Sequence, residues 1–291
     1  MEKLIKMFPD IKKNVSLSGF SSFEIGGGAD YFFRAKNTED LISILDYSFS
    51  KEMPIFIFGG GSNTLFSDEG FSGLVIKNEC TSVSLDGERI KAESGVILPV
   101  LVAKAKEKKL SGLEKLFGIP GTIGGAVFGN AGAYGDEISQ KIEKVKIFTK
   151  NGPKEVIVSE KDFQYRHSRF KEKREIILEV VLKLKKVKEV VVSQEIIESR
   201  KRMNYHGNIG CFFKNPPQGP SAGELLDKVN AKKTRLGGAR VSEKHANFII
   251  NTGQATCKDI LGLVKILQKR VQDKFGILLE PEVNIVGNDF A

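Results

Sequence analysis

Two glycine-dense segments constrain the fold of this chain more than any other feature of its sequence. The first is Gly59-Gly60-Gly61-Ser62-Asn63, which follows the apolar run 54–58 that predicts a short buried strand. Glycines let backbone N–H groups turn toward a bound anion, and Ser62 and Asn63 can add side-chain donors. A pyrophosphate suits such a loop, and an ordinary glycine-rich turn is the alternative. A Rossmann fingerprint is excluded because its third glycine would fall at Thr64, and a P-loop because no GK[ST] follows.

The second segment is GIPGTIGGAVFGNAGAYGDE, which spans residues 118–137 and is predicted as a loop. Side chains as small as its glycines and alanines let a flat or extended ligand lie against the backbone. A flexible linker is the alternative, but Ile119, Val127 and Phe128 are too apolar for a solvated linker. Two separate segments of this kind indicate one large nucleotide cofactor.

Helix and strand patterns are mixed along the rest of the chain. Residues 37–53 and 98–112 predict amphipathic helices, the second of them ending at Gly112. Residues 175–186 alternate strictly between apolar and polar positions, which predicts a long half-buried strand. A long helix over 255–275 is expected to end at Gly276. No internal repeat or low-complexity linker is present in the sequence, so we expect an α+β protein of several compact lobes.

The chain contains three cysteines and three histidines. The cysteine count is odd and no CxxC pair occurs, so a disulfide framework and a cysteine-rich zinc site are both disfavoured and no metal is expected. Cys211 could therefore be a small buried hydrophobe, a nucleophile or an acid.

The formal net charge of the chain is +9. Such a charge suits nucleic acid, an anionic membrane surface or a phosphorylated small molecule, and equally a lysine-rich solvated surface. A nucleic-acid binder would interleave aromatic and basic residues, and the sequence has no such stretch. The sequence also has no signal-peptide core and no apolar run long enough to cross a bilayer. We therefore expect a cytoplasmic protein that binds neither nucleic acid nor membrane.

The two glycine motifs resemble those of the UDP-N-acetylenolpyruvoylglucosamine reductase family. The resemblance continues through the segments SSFEIGGGADYF, DFQYRHSRF, GCFFKNP, GGARVSEKHANFIIN and LEPEV. The last two segments and the short chain resemble the compact (type II) subgroup, which lacks an extra substrate-covering insertion. The resemblance implies a three-lobed α+β flavoprotein. A two-lobe FAD-binding fold of the vanillyl-alcohol-oxidase (PCMH) type would be followed by a C-terminal α+β substrate-binding lobe.

The resemblance also implies domain bounds and cofactor contacts. FAD-binding lobe 1 would comprise 1–77 with the tail 279–291, lobe 2 would comprise 78–202, and the substrate-binding domain would comprise 203–278. FAD would be bound non-covalently, with its pyrophosphate on the first glycine motif and its flavin along the second. The implied cofactor-binding residues are Gly59, Gly60, Gly61, Ser62, Asn63, Gly118, Ile119, Pro120, Gly121, Thr122, Gly124, Gly125 and Ala126.

The family's chemistry implies two hydride transfers at one site. NADPH, the co-substrate, reduces FAD and leaves, and the enolpyruvyl ether of a UDP-sugar then enters. The flavin N5 hydride goes to C3 of the enolpyruvyl group and an acid protonates C2, which gives UDP-N-acetylmuramate for peptidoglycan synthesis.

Three catalytic residues are implied by the resemblance. Arg166 would stabilise negative charge at the substrate carboxylate, for which a guanidinium fork is geometrically suited. Glu282 would polarise the enol carboxylate jointly with Arg166 or help to set the protonation of the intermediate. Cys211 would be the acid, and no covalent nucleophile is required because the hydride comes from the flavin.

Many family members carry serine at the position of Cys211. A thiol titrates near pH ~8.5 and is a far stronger acid than a hydroxyl. The exchange is therefore expected to preserve the function, at the cost of a thiol that can be oxidised beside a reduced flavin.

Four residues are candidates for substrate binding. Lys214 and Asn215 would meet the uridine or its phosphates, Arg200 would bind a phosphate, and Tyr165 would pack near the substrate. The loop before Cys211 is shorter than is typical of the family and lacks its proline-containing connection, which leaves the role of Arg200 open.

The alternative function is that of an FAD-linked oxidase on the same fold. Such enzymes often tether FAD through histidine, and none of His167, His206 and His245 lies in a glycine segment, which disfavours that alternative. We expect the protein to be a monomer.

Overall fold

The computed structural model describes residues 2–202 and 206–288, without the side chains of Glu2 and Arg202. The α-helices in this part of the chain are α1 (Glu2–Met7), α2 (Thr38–Ser50), α3 (Leu98–Glu107), α4 (Ile123–Phe128), α5 (Arg169–Glu172), α6 (Gln194–Arg202), α7 (Ala222–Lys228) and α8 (Cys257–Phe275). None of these helices combines the length and the apolar character that a membrane span requires.

The strands form one five-stranded, one four-stranded and one three-stranded sheet, together with two-stranded pairs, among the described residues. They are β1 (Lys12–Ser16), β2 (Gly28–Ala35), β3 (Ile55–Phe58), β4 (Thr64–Phe66), β5 (Phe71–Asn78), β6 (Val83–Asp86), β7 (Arg89–Glu93), β8 (Leu110–Ser111), β9 (Gly132–Ala133), β10 (Asp136–Glu137), β11 (Ile142–Thr149), β12 (Gly152–Ile157), β13 (Phe163–Gln164), β14 (His167–Ser168), β15 (Ile176–Lys183), β16 (Lys185–Lys186), β17 (Arg235–Leu236), β18 (Ala239–Val241), β19 (Ile249–Asn251) and β20 (Asn284–Val286).

The chain divides into two compact units. The first unit comprises Met1–Lys13, Tyr31–Gly60 and Gly73–Arg202, and the second comprises Asn14–Asp30, Gly61–Ser72 and Met203–Ala291. The boundary between them falls inside the first glycine motif. The three-lobed division expected from the sequence stays a prediction, and the last residues of its tail, 289–291, lie outside the described residues.

The first unit is built on the antiparallel sheet β12-β11-β15-β7-β6, in which β15 is the central strand. Strict alternation predicts that β15 is half-buried, and this prediction is wrong. Lys146 pairs with Glu179 but Ile147 pairs with Ile177, so Leu178 is an extra residue in the strand. A β-bulge of this kind exchanges the two faces of a strand. Leu178 accordingly packs into one apolar core and Ile177 into another.

The predicted end of helix α3 at Gly112 is also wrong. The helix ends at Glu107, and Lys109 adopts a left-handed backbone conformation with φ 58°. Leu110–Ser111 then form a strand that pairs with Lys185–Lys186, so the chain beyond the helix belongs to a sheet.

The second glycine segment is not only a loop, because it contains helix α4. The Thr122 side chain accepts a hydrogen bond of 3.3 Å from the Gly125 N–H and so caps the start of the helix. Gly124 allows the helix to pack closely, since a Cβ there would lie 2.7 Å from the Cβ of Ser94. Because this helix packs through glycine positions, its sequence shows no apolar periodicity. The sequence pattern therefore does not reveal it.

The second unit is organised around α8, whose apolar face lies in the core of this unit. The helix begins with a capping box between Thr256 and Asp259 and ends at Gly276, as predicted, with φ 69°. Asp68 also caps the helix: one of its carboxylate oxygens accepts from the Cys257 N–H at 2.7 Å and the other from the Lys258 N–H at 3.1 Å. Asp68 follows the first glycine motif closely, so this cap fixes the chain just beyond the motif.

We predict that Asp68→Ala lowers the free energy of unfolding by about 1–2 kcal/mol, because two helix N–H groups and a favourable charge at the helix start are lost. Urea denaturation measures this change. Glu69→Ala is the matched control: its carboxylate pairs with Lys258 with both side chains mostly exposed, so the loss is expected to stay within about 0.5 kcal/mol. Equal losses in the two variants would contradict a capping role for Asp68.

Candidate functional site

The two glycine motifs contact each other within the first unit. A Cβ at Gly59 would collide with the Thr122 side chain, and a Cβ at Gly60 would lie 3.0 Å from the Cα of Gly121. Any side chain at these positions would separate the two backbones. The structure therefore brings together the two segments that the sequence singled out.

The 121–124 stretch is held in place by backbone hydrogen bonds to the segment 94–98. Leu98 N–H donates to Gly121 O at 2.9 Å, Ile123 N–H donates to Val96 O at 2.8 Å, and Gly124 N–H donates to Ser94 O at 2.9 Å. This pairing fixes the surface against which Gly59 and Gly60 lie.

The next residue of the first motif, Gly61, lies in the second unit. Its φ of 65° is left-handed, and a Cβ would collide with the Phe20 carbonyl oxygen, so only glycine fits here without strain. Its own carbonyl accepts from the Ser22 N–H at 3.2 Å. Beside it, the Ser21 hydroxyl is buried and has no hydrogen-bond partner among the described residues.

These features fit a cofactor that carries phosphate. Glycine backbone without side chains lets an anion approach peptide N–H groups, and a buried hydroxyl without a partner can donate to an acceptor-rich guest. The buried Ser21 hydroxyl is a candidate contact that the sequence pattern did not single out. Ser62 and Asn63 follow in the same segment, and Asn63 donates from its amide to the Glu282 carbonyl at 3.2 Å.

The predicted catalytic Arg166 lies in the turn between β13 and β14. Its φ of 54° is left-handed, a conformation that costs a non-glycine residue free energy. The guanidinium carbon lies 5.1 Å from the centre of the Tyr165 ring, and that ring is about half exposed. Arg166 and Tyr165 are thus presented together at the tip of a hairpin.

The Arg166 hairpin is anchored to the second glycine segment by two buried side chains. The Asn130 amide donates to Gln164 O at 2.9 Å and to the Glu137 carboxylate at 2.8 Å. The Ser168 hydroxyl donates to Phe128 O at 2.7 Å. Asn130 is missed by sequence reasoning, since an asparagine among glycines in the GNAGAYG stretch first suggests a turn.

Arg200 lies against the start of the second glycine segment. Its Nε–H donates to Phe117 O at 3.1 Å, and a Cβ at Gly118 would come within 2.9 Å of the Arg200 Cγ. The structure therefore brings Arg200 to the Gly118 stretch, where its side chain helps to fix the backbone.

In the second unit, Cys211 lies at the start of a segment that is paired on both sides. Cys211 forms a β-bridge with Phe248, and Phe213 forms one with Pro281. The next two side chains, Phe212 and Phe213, are fully buried in the core, whereas Cys211 is exposed. The apolar neighbours thus anchor the segment and leave the thiol at the surface of the unit.

Glu282 is placed directly beside this segment. Its N–H donates to Phe212 O at 2.8 Å, while its own carbonyl accepts from Asn63. Two of the three predicted catalytic residues, Cys211 and Glu282, therefore lie on neighbouring paired segments of the second unit, and Asn63 contacts the second of them.

The structure gives Lys214 and Asn215 contacts within the second unit. The Lys214 ammonium, only 16% exposed, pairs with the Glu280 carboxylate. The Asn215 Oδ1 accepts from the Ala222 N–H at 3.0 Å and so holds the start of α7. Both side chains stabilise the chain that follows Cys211.

We predict that Gly59→Ala lowers the free energy of unfolding by about 1–3 kcal/mol, because the methyl group overlaps Thr122 and separates the glycine motifs. The variant is also expected to retain less flavin through gel filtration, measured as the ratio of absorbance at 450 and 280 nm. Gly19→Ala is the control, since no described atom lies within 4 Å of its added Cβ. Full flavin content in the Gly59 variant would contradict this interpretation of the motif.

We predict that a single thiol of the flavin-free protein reacts with a disulfide reagent under native conditions. Cys211 is exposed, whereas Cys80 and Cys257 are buried. Burial, with a further contribution from Glu93, raises the pKa of Cys80 to about 12, so little reactive thiolate forms there. Three thiols should react in denaturant, and Cys211→Ser should abolish the native reaction. Fast native modification of two thiols would contradict the structure.

Comparison with known proteins matches both parts of the chain to protein families. Residues 29–155 match a family model described as an FAD binding domain, and residues 201–286 match one described as the UDP-N-acetylenolpyruvoylglucosamine reductase, C-terminal domain. The FAD-binding domain implied by the family resemblance, and the α+β fold class with a separate C-terminal domain, are therefore confirmed.

Relatives with the same printed name match nearly the whole chain. The UDP-N-acetylenolpyruvoylglucosamine reductase of Caldicellulosiruptor bescii is 40% identical, over 94% of this chain and 90% of the relative. That of Chlamydia felis is 36% identical, over 98% of both chains. The crystal structure of the Thermus caldophilus reductase superposes with a TM-score of 0.78 at 35% identity, over 93% of this chain and 97% of that one. The chain therefore belongs to the UDP-N-acetylenolpyruvoylglucosamine reductase family of flavin oxidoreductases.

Proposed function

We propose that this protein reduces UDP-N-acetylenolpyruvoylglucosamine to UDP-N-acetylmuramate, with NADPH as the reductant and FAD bound non-covalently. Family membership over nearly the full length supports the reductase activity in peptidoglycan precursor synthesis. The geometric observation that carries the proposal is the Glu282–Phe212 backbone hydrogen bond. It holds the segments of the proposed acid and of a carboxylate side by side, and the Asn63 amide contacts the Glu282 carbonyl.

The cofactor would be held by the two glycine motifs. Support comes from the close approach of Gly59 and Gly60 to Gly121 and Thr122, and from the left-handed Gly61 beside the buried Ser21 hydroxyl. When bound, FAD accepts a hydride from NADPH and passes it on to the substrate. The protein then has to orient the enolpyruvyl group, stabilise negative charge and supply a proton.

Cys211 would supply the proton to C2 of the enolpyruvyl group. Its exposure supports this role because a donor must reach the substrate and be reprotonated from water. Its position between two paired segments would keep the thiol at a fixed distance from the reacting carbon. A thiol is a stronger acid than the serine hydroxyl of many relatives, so no loss of acid strength is expected.

Arg166 and Glu282 would act on the carboxylate of the enolpyruvyl group. A guanidinium can hold a carboxylate through two parallel hydrogen bonds and stabilise the charge that develops there. The Asn130 anchor of the hairpin and the contact of the guanidinium with the Tyr165 ring support a side chain that is oriented before the substrate arrives. Glu282 would polarise the same carboxylate or help to set the protonation of the intermediate.

The remaining substrate contacts follow from the same side chains that the sequence singled out. Lys214, now paired with Glu280, would exchange that partner for a substrate phosphate, and Arg200 would bind a phosphate near Gly118. Asn215 would contact the uridine through its amide nitrogen, because its oxygen is engaged by the chain. Tyr165 would pack against the substrate.

We also propose membership of the compact subgroup of the family, a monomeric state and a cytoplasmic location. The LEPEV and GGARVSEKHANFIIN segments support the subgroup. Residues 203–205, within the short loop that bears on this assignment, lie outside the described residues.

Absorbance spectroscopy tests the function directly. The purified protein is expected to be yellow, to bleach on addition of NADPH without oxygen, and to regain its colour when the enolpyruvyl UDP-sugar is added. A protein that stays colourless after addition of FAD would rule out the flavin chemistry. Colour that returns only with oxygen would favour the FAD-linked oxidase instead.

We predict that Cys211→Ser retains the recolouring step and that Cys211→Ala slows it by about 100-fold or more, in the range attributed to a general acid. Bleaching by NADPH should be unchanged in both variants, because no proton from residue 211 is needed there. Stopped-flow absorbance at 450 nm separates the two steps. An alanine variant that recolours at the wild-type rate would remove Cys211 from the mechanism.

A further inference from the structure

Asn247 makes more contacts to the Cys211 segment than the sequence would suggest. Its carbonyl accepts from the Phe212 N–H at 2.8 Å, its Oδ1 accepts from the Phe213 N–H at 2.9 Å, and its Nδ2 donates to the Phe213 carbonyl at 2.8 Å. Its own N–H donates to His245 Nδ1 at 3.2 Å. All four polar groups of this residue are therefore engaged, three of them with the two residues after Cys211.

The side chain of Asn247 acts as a substitute for a peptide group. A carboxamide has the same donor and acceptor arrangement as the backbone, so it can pair with both the N–H and the C=O of Phe213 in a ring of two hydrogen bonds. Asn247 and Phe213 are 2% and 1% exposed. Water therefore cannot replace these hydrogen bonds, and no apolar residue can satisfy both groups.

The opposite edge of the same segment is held by a different part of the chain. Glu282 N–H donates to Phe212 O, and Lys214 N–H donates to Glu280 O at 2.9 Å. Asn247 therefore completes a clamp that fixes the segment from both sides. The clamp begins one residue after Cys211. It therefore fixes the backbone that determines the direction of the Cα–Cβ bond of Cys211.

We propose that Asn247 is a positioning residue for the proton transfer, and that its carboxamide holds Cys211 where the proton is delivered. The inference rests on the proposed role of Cys211 as the acid. A displacement of about 1 Å in a reacting group can cost on the order of 100-fold in rate. The hydride transfer from NADPH needs no proton from residue 211, so we expect it not to depend on the clamp.

Two substitutions at this position test the inference. Asn247→Leu keeps the size of the side chain and removes both hydrogen bonds to Phe213. Asn247→Asp keeps the acceptor for the Phe213 N–H but places a second acceptor against the Phe213 carbonyl. Both variants are expected to bleach with NADPH at the wild-type rate and to recolour with the enolpyruvyl substrate about 10- to 100-fold more slowly.

Asn251→Ala is the matched control. This asparagine ends the neighbouring strand β19, and its amide donates to the Phe23 carbonyl at 2.8 Å and not to the Cys211 segment. The control is expected to lose stability while the ratio of the two rates stays at the wild-type value. Thermal unfolding and flavin content identify folded variants, and the aspartate variant replaces the leucine variant if the latter does not fold.

The outcomes separate this inference from the proposal on which it rests. If Cys211→Ala recolours at the wild-type rate, the role of Cys211 fails and the inference fails with it. If Cys211→Ala is slow but folded Asn247 variants recolour at the wild-type rate, only the inference is overturned. Equal slowing of bleaching and recolouring in the Asn247 variants would also overturn it, because a general loss of structure affects both steps.

Discussion

Direct packing of backbone against glycine backbone is the constraint on which the cofactor side of this protein depends. Gly59 and Gly60 approach Gly121 and Thr122 so closely that a single methyl group would separate them. The pairing of 121–124 with 94–98 keeps one of these surfaces fixed. The same segment contains α4 and the residues that anchor the Arg166 hairpin, so the close contact and the hairpin share one support.

In the second unit, the Cys211 segment depends on backbone hydrogen bonds along both of its edges. The rings of Phe212 and Phe213 are buried in the core. On one edge, their backbone groups form hydrogen bonds with Asn247, and on the other edge the Phe212 carbonyl accepts from the Glu282 N–H. A segment held in this way has little freedom to shift, so the residue at its start has a defined position although it is exposed.

The sequence predicts the parts of this architecture that are encoded locally. The acidic start of α2, the capped end of α8 at Gly276 and the two glycine motifs all follow from short patterns of residues. The bulge at Leu178 does not, because it arises from pairing with a strand about 30 residues away along the chain. Asn247 is 34 residues from Phe213, and only the folded chain shows that its carboxamide replaces a peptide group. Contacts between distant segments are therefore what the sequence pattern leaves undetermined.

The exposure of Cys211 between anchored neighbours has a consequence for inhibitor design. A thiol reacts with mild electrophiles near neutral pH, whereas a serine hydroxyl at the same position does not. At the proposed substrate site, an electrophilic group carried by an analogue of a UDP-sugar would therefore form a covalent bond with Cys211, and only a reversible complex with a Cys211→Ser variant. The two buried cysteines of the chain would not compete for the reagent. The selectivity of the inhibitor would therefore depend on the Cys211 thiol alone.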